Sequence, residues 1–175
     1  AIVITGYVPL TMWRHCMMRA VKAYESNGSL LFHRQVTPFD IIISRVILEF
    51  FGTLGAGIIV TTAAIWLGYM SIPYDLFYVY LGLVMQGFFC LNTALIAAFL
   101  TEYSDLAEKA VSIFGYLTLP LSGAFTMVSW IPEKYRWILL SSPSVNSVEI
   151  LRYGQFGPTS HAQWNIIYAV WINVL

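Results

Sequence analysis

Charge is scarce in this sequence. Only 10% of its 175 residues are Asp, Glu, Lys or Arg, against about a quarter in a soluble domain, while 58% are hydrophobic. A water-soluble fold cannot hide that much apolar surface. The formal net charge is zero, so nothing points to nucleic acid as a partner. Cysteine is also rare. Cys16 and Cys90 stand far apart in or beside apolar segments, without metal-ligand spacing, and read as free, inert thiols. The chain has three lysines, Lys22, Lys109 and Lys134, preceded by Val21, Glu108 and Glu133. A phosphate-binding loop needs Gly-Lys-Ser/Thr, so any ATP-driven process would require a partner to hydrolyse the ATP. His15, His33 and His161 lack metal spacing and no Gly-x-Ser-x-Gly elbow occurs, so these histidines read as packed or interfacial.

What the chain does have is long apolar runs. Residues 50–74, 76–101 and 110–132 carry no charged side chain, and each exceeds the roughly 20 residues that a helix needs to cross a bilayer core. The expected crossings are 1–16, 38–69, 76–100, 106–128 and from about 163 to the end. Both ends lie inside apolar sequence, which reads as a fragment. The first segment has neither a basic flank nor a small-residue cleavage site, and so is not a signal peptide. Arg14, Arg19, Lys22, Arg34 and Arg45 cluster in one connection. Basic residues stay on the cytoplasmic side, which puts 14–45 and 102–109 inside and 71–75 and 129–162 outside. Lys134, Arg136 and Arg152 run against that rule.

Four local features carry further expectations. Arg45 and Glu49, four apart in the first turns of the second segment, have the spacing of a weak ion pair. Thr37-Pro38 reads as the start of that helix, since proline suits a first turn. Asp105 with Glu108 reads as a variant capping box opening the fourth segment. The run 137–148 is apolar but short and broken by Pro143. It suggests a segment, within 130–160, that dips into the outer leaflet and returns; a periplasmic loop with a surface helix is the other reading.

The basic connection over 17–37 exposes Leu30, Leu31 and Phe32 beside Arg19, Lys22, Glu25 and Arg34. Either lipid headgroups or a soluble partner with a groove for a short helix would cover them. Aromatic residues make up 16% of the chain. Phe114, Tyr116, Phe125 and Trp130 belong either to an interfacial belt or to a water-filled path, where flat ring faces would meet the C–H faces of sugars.

The stretch LSGAFTMVSWIPEKYRWILLSSPSVNSVEILRYGQFG, residues 121–157, closely resembles the permease subunits of type 2 ABC exporters for bacterial capsule and O-antigen polysaccharides. Ser122, Gly123, Trp130, Pro132, Arg136, Pro143, Glu149, Arg152, Phe156 and Gly157 carry the match, and LLFHRQVTPFD at 30–40 resembles the start of the family's third membrane helix. Ser142-Pro143 departs from the Asn-Pro expected there. The resemblance implies an all-α polytopic membrane helix bundle: one transmembrane domain over 1–175, covering five of six membrane helices and two short re-entrant helices. It implies a cytoplasmic coupling segment at 17–37, with Arg19, Lys22, Glu25, Leu30, Leu31, Phe32 and Arg34 as contacts to an ATPase subunit. Translocation-path candidates are Phe114, Tyr116, Ser122, Phe125 and Trp130; Pro132, Arg136, Pro143, Glu149 and Arg152 shape the re-entrant segment.

The expected protein is a multi-pass permease of the bacterial inner membrane, not itself an enzyme, paired as a homodimer with ATPase subunits that bind ATP and Mg. Its cargo would be a capsular or lipid-linked O-antigen-like glycan, and the lipid bilayer is its other partner. The chain itself would hold no cofactor or metal. A drug or lipid exporter of the same superfamily is the alternative. A secondary transporter is disfavoured, because the central parts of the long runs lack the ionisable residues that mark a coupling-ion site.

Overall fold

The computed structural model describes residues 2–28, 37–118 and 124–174. Helices and their connections account for all of them, with no strand among the described residues. In chain order the helices are α1 (Ile2–Ala20), α2 (Ala23–Ser26), α3 (Pro38–Trp66), α4 (Leu76–Tyr103), α5 (Asp105–Leu117), α6 (Glu133–Leu140), α7 (Pro143–Phe156) and α8 (Ile166–Val174). Short 3-10 turns occupy Val128–Trp130 and Gly157–Ser160.

Among the described residues, two helices are long and apolar enough to cross a membrane. α3 has 29 residues and α4 has 28, which at 1.5 Å per residue gives each roughly 40 Å, more than the hydrocarbon core. Their starts follow from local sequence. Thr37 caps α3: its hydroxyl accepts from the Asp40 amide at 3.3 Å, the Asp40 carboxylate accepts from the Thr37 amide at 2.9 Å, and Pro38 fills the first turn. Asp75 caps α4, accepting from the Phe77 amide at 2.8 Å. α1 is shorter, at 19 residues, with Arg14, His15 and Arg19 in its second half.

The helix expected over 106–128 is not continuous. α5 stops at Leu117, and residues 124–126 are bends. The Thr118 hydroxyl donates back to the Phe114 carbonyl at 2.9 Å, and Pro120 follows in the sequence; proline supplies no amide to a helix and disfavours helical backbone before it. α8 is nine residues long.

α4 is the centre of the bundle, with α1, α3, α5, α7 and α8 all packed on it. The core joins Leu10, Trp13 and Cys16 of α1 with Ile42 and Val46 of α3 and Cys90, Ala94 and Ala98 of α4. Cys16 and Cys90 are both free and buried, and both belong to this core.

α4 and α7 approach each other closely, and glycine makes it possible. A Cβ on Gly82 would lie 2.8 Å from the Ser147 carbonyl oxygen, and one on Gly154 would lie 2.5 Å from the Val79 nitrogen. Small residues let membrane helices bring their backbones together. α7 is consequently buried along nearly its whole length, polar side chains included. Asn146 donates to the carbonyls of Leu140 (2.7 Å) and Ser142 (3.0 Å) and accepts from the Asn165 amide (2.8 Å), while Gln155 donates to the Ser71 carbonyl (2.7 Å). Polar groups at membrane depth persist only with such internal partners.

Candidate functional site

Two polar hubs stand at different places in the bundle, with an aromatic cavity as a third feature. The first hub gathers the connections after α1 and α4. Lys22 has a backbone φ of 47°, a left-handed conformation that a residue with a Cβ adopts only when its surroundings hold it there. Its amide donates to the Thr101 hydroxyl at 3.1 Å. Its ammonium lies 3.1 Å from Asp105, 3.3 Å from Glu108 and 3.6 Å from Glu25. Asp105 and Glu108 hold that ammonium well above the usual lysine range. The Glu102 carboxylate accepts from the amides of Tyr24 and Glu25 at 3.1 and 3.2 Å, satisfying donors at the start of α2 that no helical carbonyl reaches.

Two expectations change here. Asp105 and Glu108 do not form a capping box: Ser104 caps α5, its hydroxyl accepting from the Leu106 amide at 3.2 Å, and both acids turn to Lys22. Arg45 and Glu49 do not pair with each other. Glu49 is buried and meets Arg19 Nε at 2.6 Å and His15 Nδ1 at 3.4 Å. Arg45 donates to the Arg19 carbonyl and, at 3.2 Å, to the Ser26 hydroxyl. The i,i+4 rule describes an isolated helix, and here α1 supplies better-placed partners across the helix pair. Of the expected coupling residues, Lys22 and Glu25 belong to this hub, and Arg19 meets Glu49 and Arg45 instead. Leu30, Leu31, Phe32 and Arg34 lie outside the described residues.

The second hub is the pair Glu149 and Arg152 on α7, whose side chains are 0% exposed and 3.0 Å apart. Arg152 also donates to the carbonyls of Ala124 and Thr126, each at 2.9 Å. Glu149 accepts from the amides of Val128 and Gln163, each at 3.3 Å. One buried ion pair thereby grips the bends after α5 and the lead-in to α8. The remaining expected residues of this region make local contacts or open helices. Pro132 precedes α6, Pro143 opens α7, and Arg136 donates to the Ile131 carbonyl at 2.8 Å and meets Glu133 at 3.5 Å.

The aromatic path candidates are not brought together. Phe114, itself more than half exposed, meets Trp13 edge-on at 6.4 Å between ring centroids, and Trp13 stacks on Phe89 at 6.2 Å. These three rings, with Ile138, Leu139 and Ser142, line a cavity of about 270 Å³ beside the turn between α6 and α7. Tyr116, Phe125 and Trp130 are exposed, and Ser122 lies outside the described residues. Sequence reasoning overlooked Trp13, whose indole donates to Thr93 at 3.0 Å, and Gln86, fully buried and donating to the Pro9 carbonyl (3.2 Å) and Ser144 (3.1 Å). A lone glutamine in a charge-free run was the available signal for the second.

This architecture has counterparts among known proteins. A family profile described as ABC-2 type transporter matches residues 15–156. The chain belongs to the ABC-2 type transporter family. Among its curated relatives is a capsule polysaccharide export inner-membrane protein, CtrC of Neisseria meningitidis serogroup B. It is 34% identical over 175 residues, which is all of this chain and 66% of the relative. Another of the same description, BexB of Haemophilus influenzae, is 33% identical over 159 residues, 91% of this chain and 60% of the relative. The chain thus spans slightly less than two thirds of the length of these relatives. It is an ABC-2 membrane domain of the inner membrane, built as an all-α bundle. Lys22, Glu102, Asp105, Glu108, Glu149 and Arg152 fall within the matched residues, and Gln163 lies beyond them.

Proposed function

We propose that this chain is the membrane-spanning part of a permease that exports a capsular or related polysaccharide across the bacterial inner membrane, driven by a separate ATPase. The relatives that share a third of its residues are named for capsule polysaccharide export, and that is the observation carrying the reading. The protein works as a pair of permeases with two ATPase subunits, which bind the ATP and Mg. Work enters by contact, and the hub around Lys22 supports a route for it. Force applied to α2 passes through Glu102 to the end of α4, through Asp105 and Glu108 to the start of α5, and through Ser26 and Arg45 to α3. Such a route needs only rigid elements whose relative positions differ between two states of the transporter.

Complementation tests the proposal. The full-length gene is placed in an encapsulated strain lacking its own capsule permease, with the host ATPase present, and surface glycan is measured with a glycan-specific antibody. Surface polysaccharide that depends on ATPase activity supports the reading. A permease that inserts and retains the ATPase, yet leaves glycan in the cytoplasm while extruding a hydrophobic drug or a lipid, overturns it.

A further inference from the structure

We infer that Glu149 and Arg152 act as a backbone clasp that positions the outer end of the translocation path, an inference that rests on the export reading above. The two side chains satisfy four main-chain groups belonging to irregular chain. Arg152 donates to the carbonyls of Ala124 and Thr126, in the bends after α5. Glu149 accepts from the amide of Val128 and from that of Gln163, in the stretch leading to α8. Every one of these contacts has a direction. A guanidinium only donates and an ionised carboxylate only accepts.

The grip therefore depends on which charge stands at which position, and not only on the attraction between the two. The opposite side of the 124–128 segment is closed as well. Ala124 and Val128 are each 1% exposed, and the Ala124 backbone presses on Gly6 of α1 so closely that a Cβ there would overlap it. Phe125 and Trp130 are carried on this clamped segment with their rings exposed. Because α7 is packed on α4 at Gly82 and Gly154, the bends, the lead-in to α8 and α7 move together with α4. The clasp thus makes Phe125 and Trp130 part of a rigid outer wall.

The test reads the position of Phe125 without any glycan or ATP, so it stands or falls separately from the export reading. Full-length permease lacking Cys16 and Cys90 carries Phe125→Cys or, as a control outside the clasp, Tyr69→Cys, and is labelled in membranes with an impermeant maleimide. Exchanging the charges (Glu149→Arg with Arg152→Glu) preserves the ion pair but turns a carboxylate toward two carbonyls and a guanidinium toward two amides. This exchange is expected to raise the labelling rate at position 125 several-fold, with position 69 unchanged. Arg152→Lys, which keeps the charge and loses the fork that grips two carbonyls, is expected to do the same to a smaller degree and guards against failure of the exchanged protein to insert. Glu149→Gln keeps one acceptor oxygen where the carboxylate uses two, one toward Val128 and one toward Gln163, and is expected to raise the rate to a smaller degree than the exchange. Parental labelling in both the exchange and Arg152→Lys, or in Arg152→Lys alone where the exchange does not insert, overturns the clasp. So does recovery of the parental rate by the exchange while Arg152→Lys is raised, which would make the pair a simple salt bridge.

Discussion

The Lys22 ammonium donates to the Asp105 carboxylate at 3.1 Å although 83 positions separate the two residues in sequence. Both connections that sequence places in the cytoplasm are therefore one surface, with Lys22 between Glu25, Asp105 and Glu108.

Lys22→Met should uncouple the two connections. The lysine pKa is raised by its acidic partners, so the contribution of its charge is complete below the ordinary lysine value of about 10.4 and is lost only as pH rises through the higher folded value. Between neutral pH and about pH 10 the contact should be constant. Added salt should weaken it, because these groups are partly or fully exposed. A pair of fluorophores at Glu25 and Lys109 in detergent should report a broader distance distribution in the variant and at high salt. An unchanged distribution in Lys22→Met would show that the Glu102 contacts alone hold the connections together.

Glu49 sits on a long apolar helix but serves α1. Replacing it by leucine removes the partner of Arg19 and His15, and a hydrogen bond to a charged group contributes about 1.5–3 kcal/mol. Glu49→Leu should lower the unfolding temperature in detergent accordingly, whereas Ile47→Ala, at an exposed position on the same helix, should shift it little. Equal shifts would mean that α1 is fastened to α3 by apolar packing alone.

Part of this architecture was legible from sequence because its causes are local. Charge-free length identifies α3 and α4, and the Thr37, Pro38 and Asp40 pattern fixes where α3 begins. Local rules failed where a distant partner was available. Glu49 turns from Arg45 to Arg19, and Asp105 and Glu108 leave their own helix for Lys22. α7 was hardest to recognise as core, because Ser144, Asn146, Glu149, Arg152 and Gln155 leave it without an apolar run. Their burial is possible only because groups elsewhere in the chain satisfy them, main-chain groups for Asn146, Glu149, Arg152 and Gln155 and the Gln86 side chain for Ser144, and no periodicity reports that.

Gly82 and Gly154 set how near α7 comes to α4. Gly154→Ala places a methyl carbon 2.5 Å from the Val79 nitrogen, with backbone on the other side that cannot yield as a side chain would. Overpacking of this kind costs about 1–3 kcal/mol. Gly52→Ala and Gly55→Ala in α3 meet nothing within 4 Å and should be neutral or slightly stabilising, since alanine favours a helix over glycine by up to about 1 kcal/mol. Thermal unfolding of the three variants in one detergent should separate them into two groups by this criterion. A Gly154→Ala protein as stable as its parent would refute the close approach.

The depth of the helical hairpin in the bilayer is the last consequence to test. α6 and α7 are joined by Ser141 and Ser142 alone, and with 8 and 14 residues neither approaches the roughly 20 that span a bilayer. α6 has no buried residue and exposes Tyr135, Trp137 and Ile138, aromatic and aliphatic groups suited to the outer headgroup boundary. α7 instead buries its polar groups against protein, which allows the turn to lie deeper than the boundary without exposing main-chain groups to lipid. Nitroxides placed singly from Lys134 to Val145 should therefore become less accessible to an aqueous nickel reagent and more accessible to oxygen toward the turn, then reverse, without reaching inner-leaflet depth. A uniformly aqueous profile would make 130–160 a periplasmic loop. The same labels orient the domain: nitroxide at Lys134 should be reduced by ascorbate added outside intact spheroplasts, while one at Glu25 should persist, and reduction at Glu25 first would invert the topology.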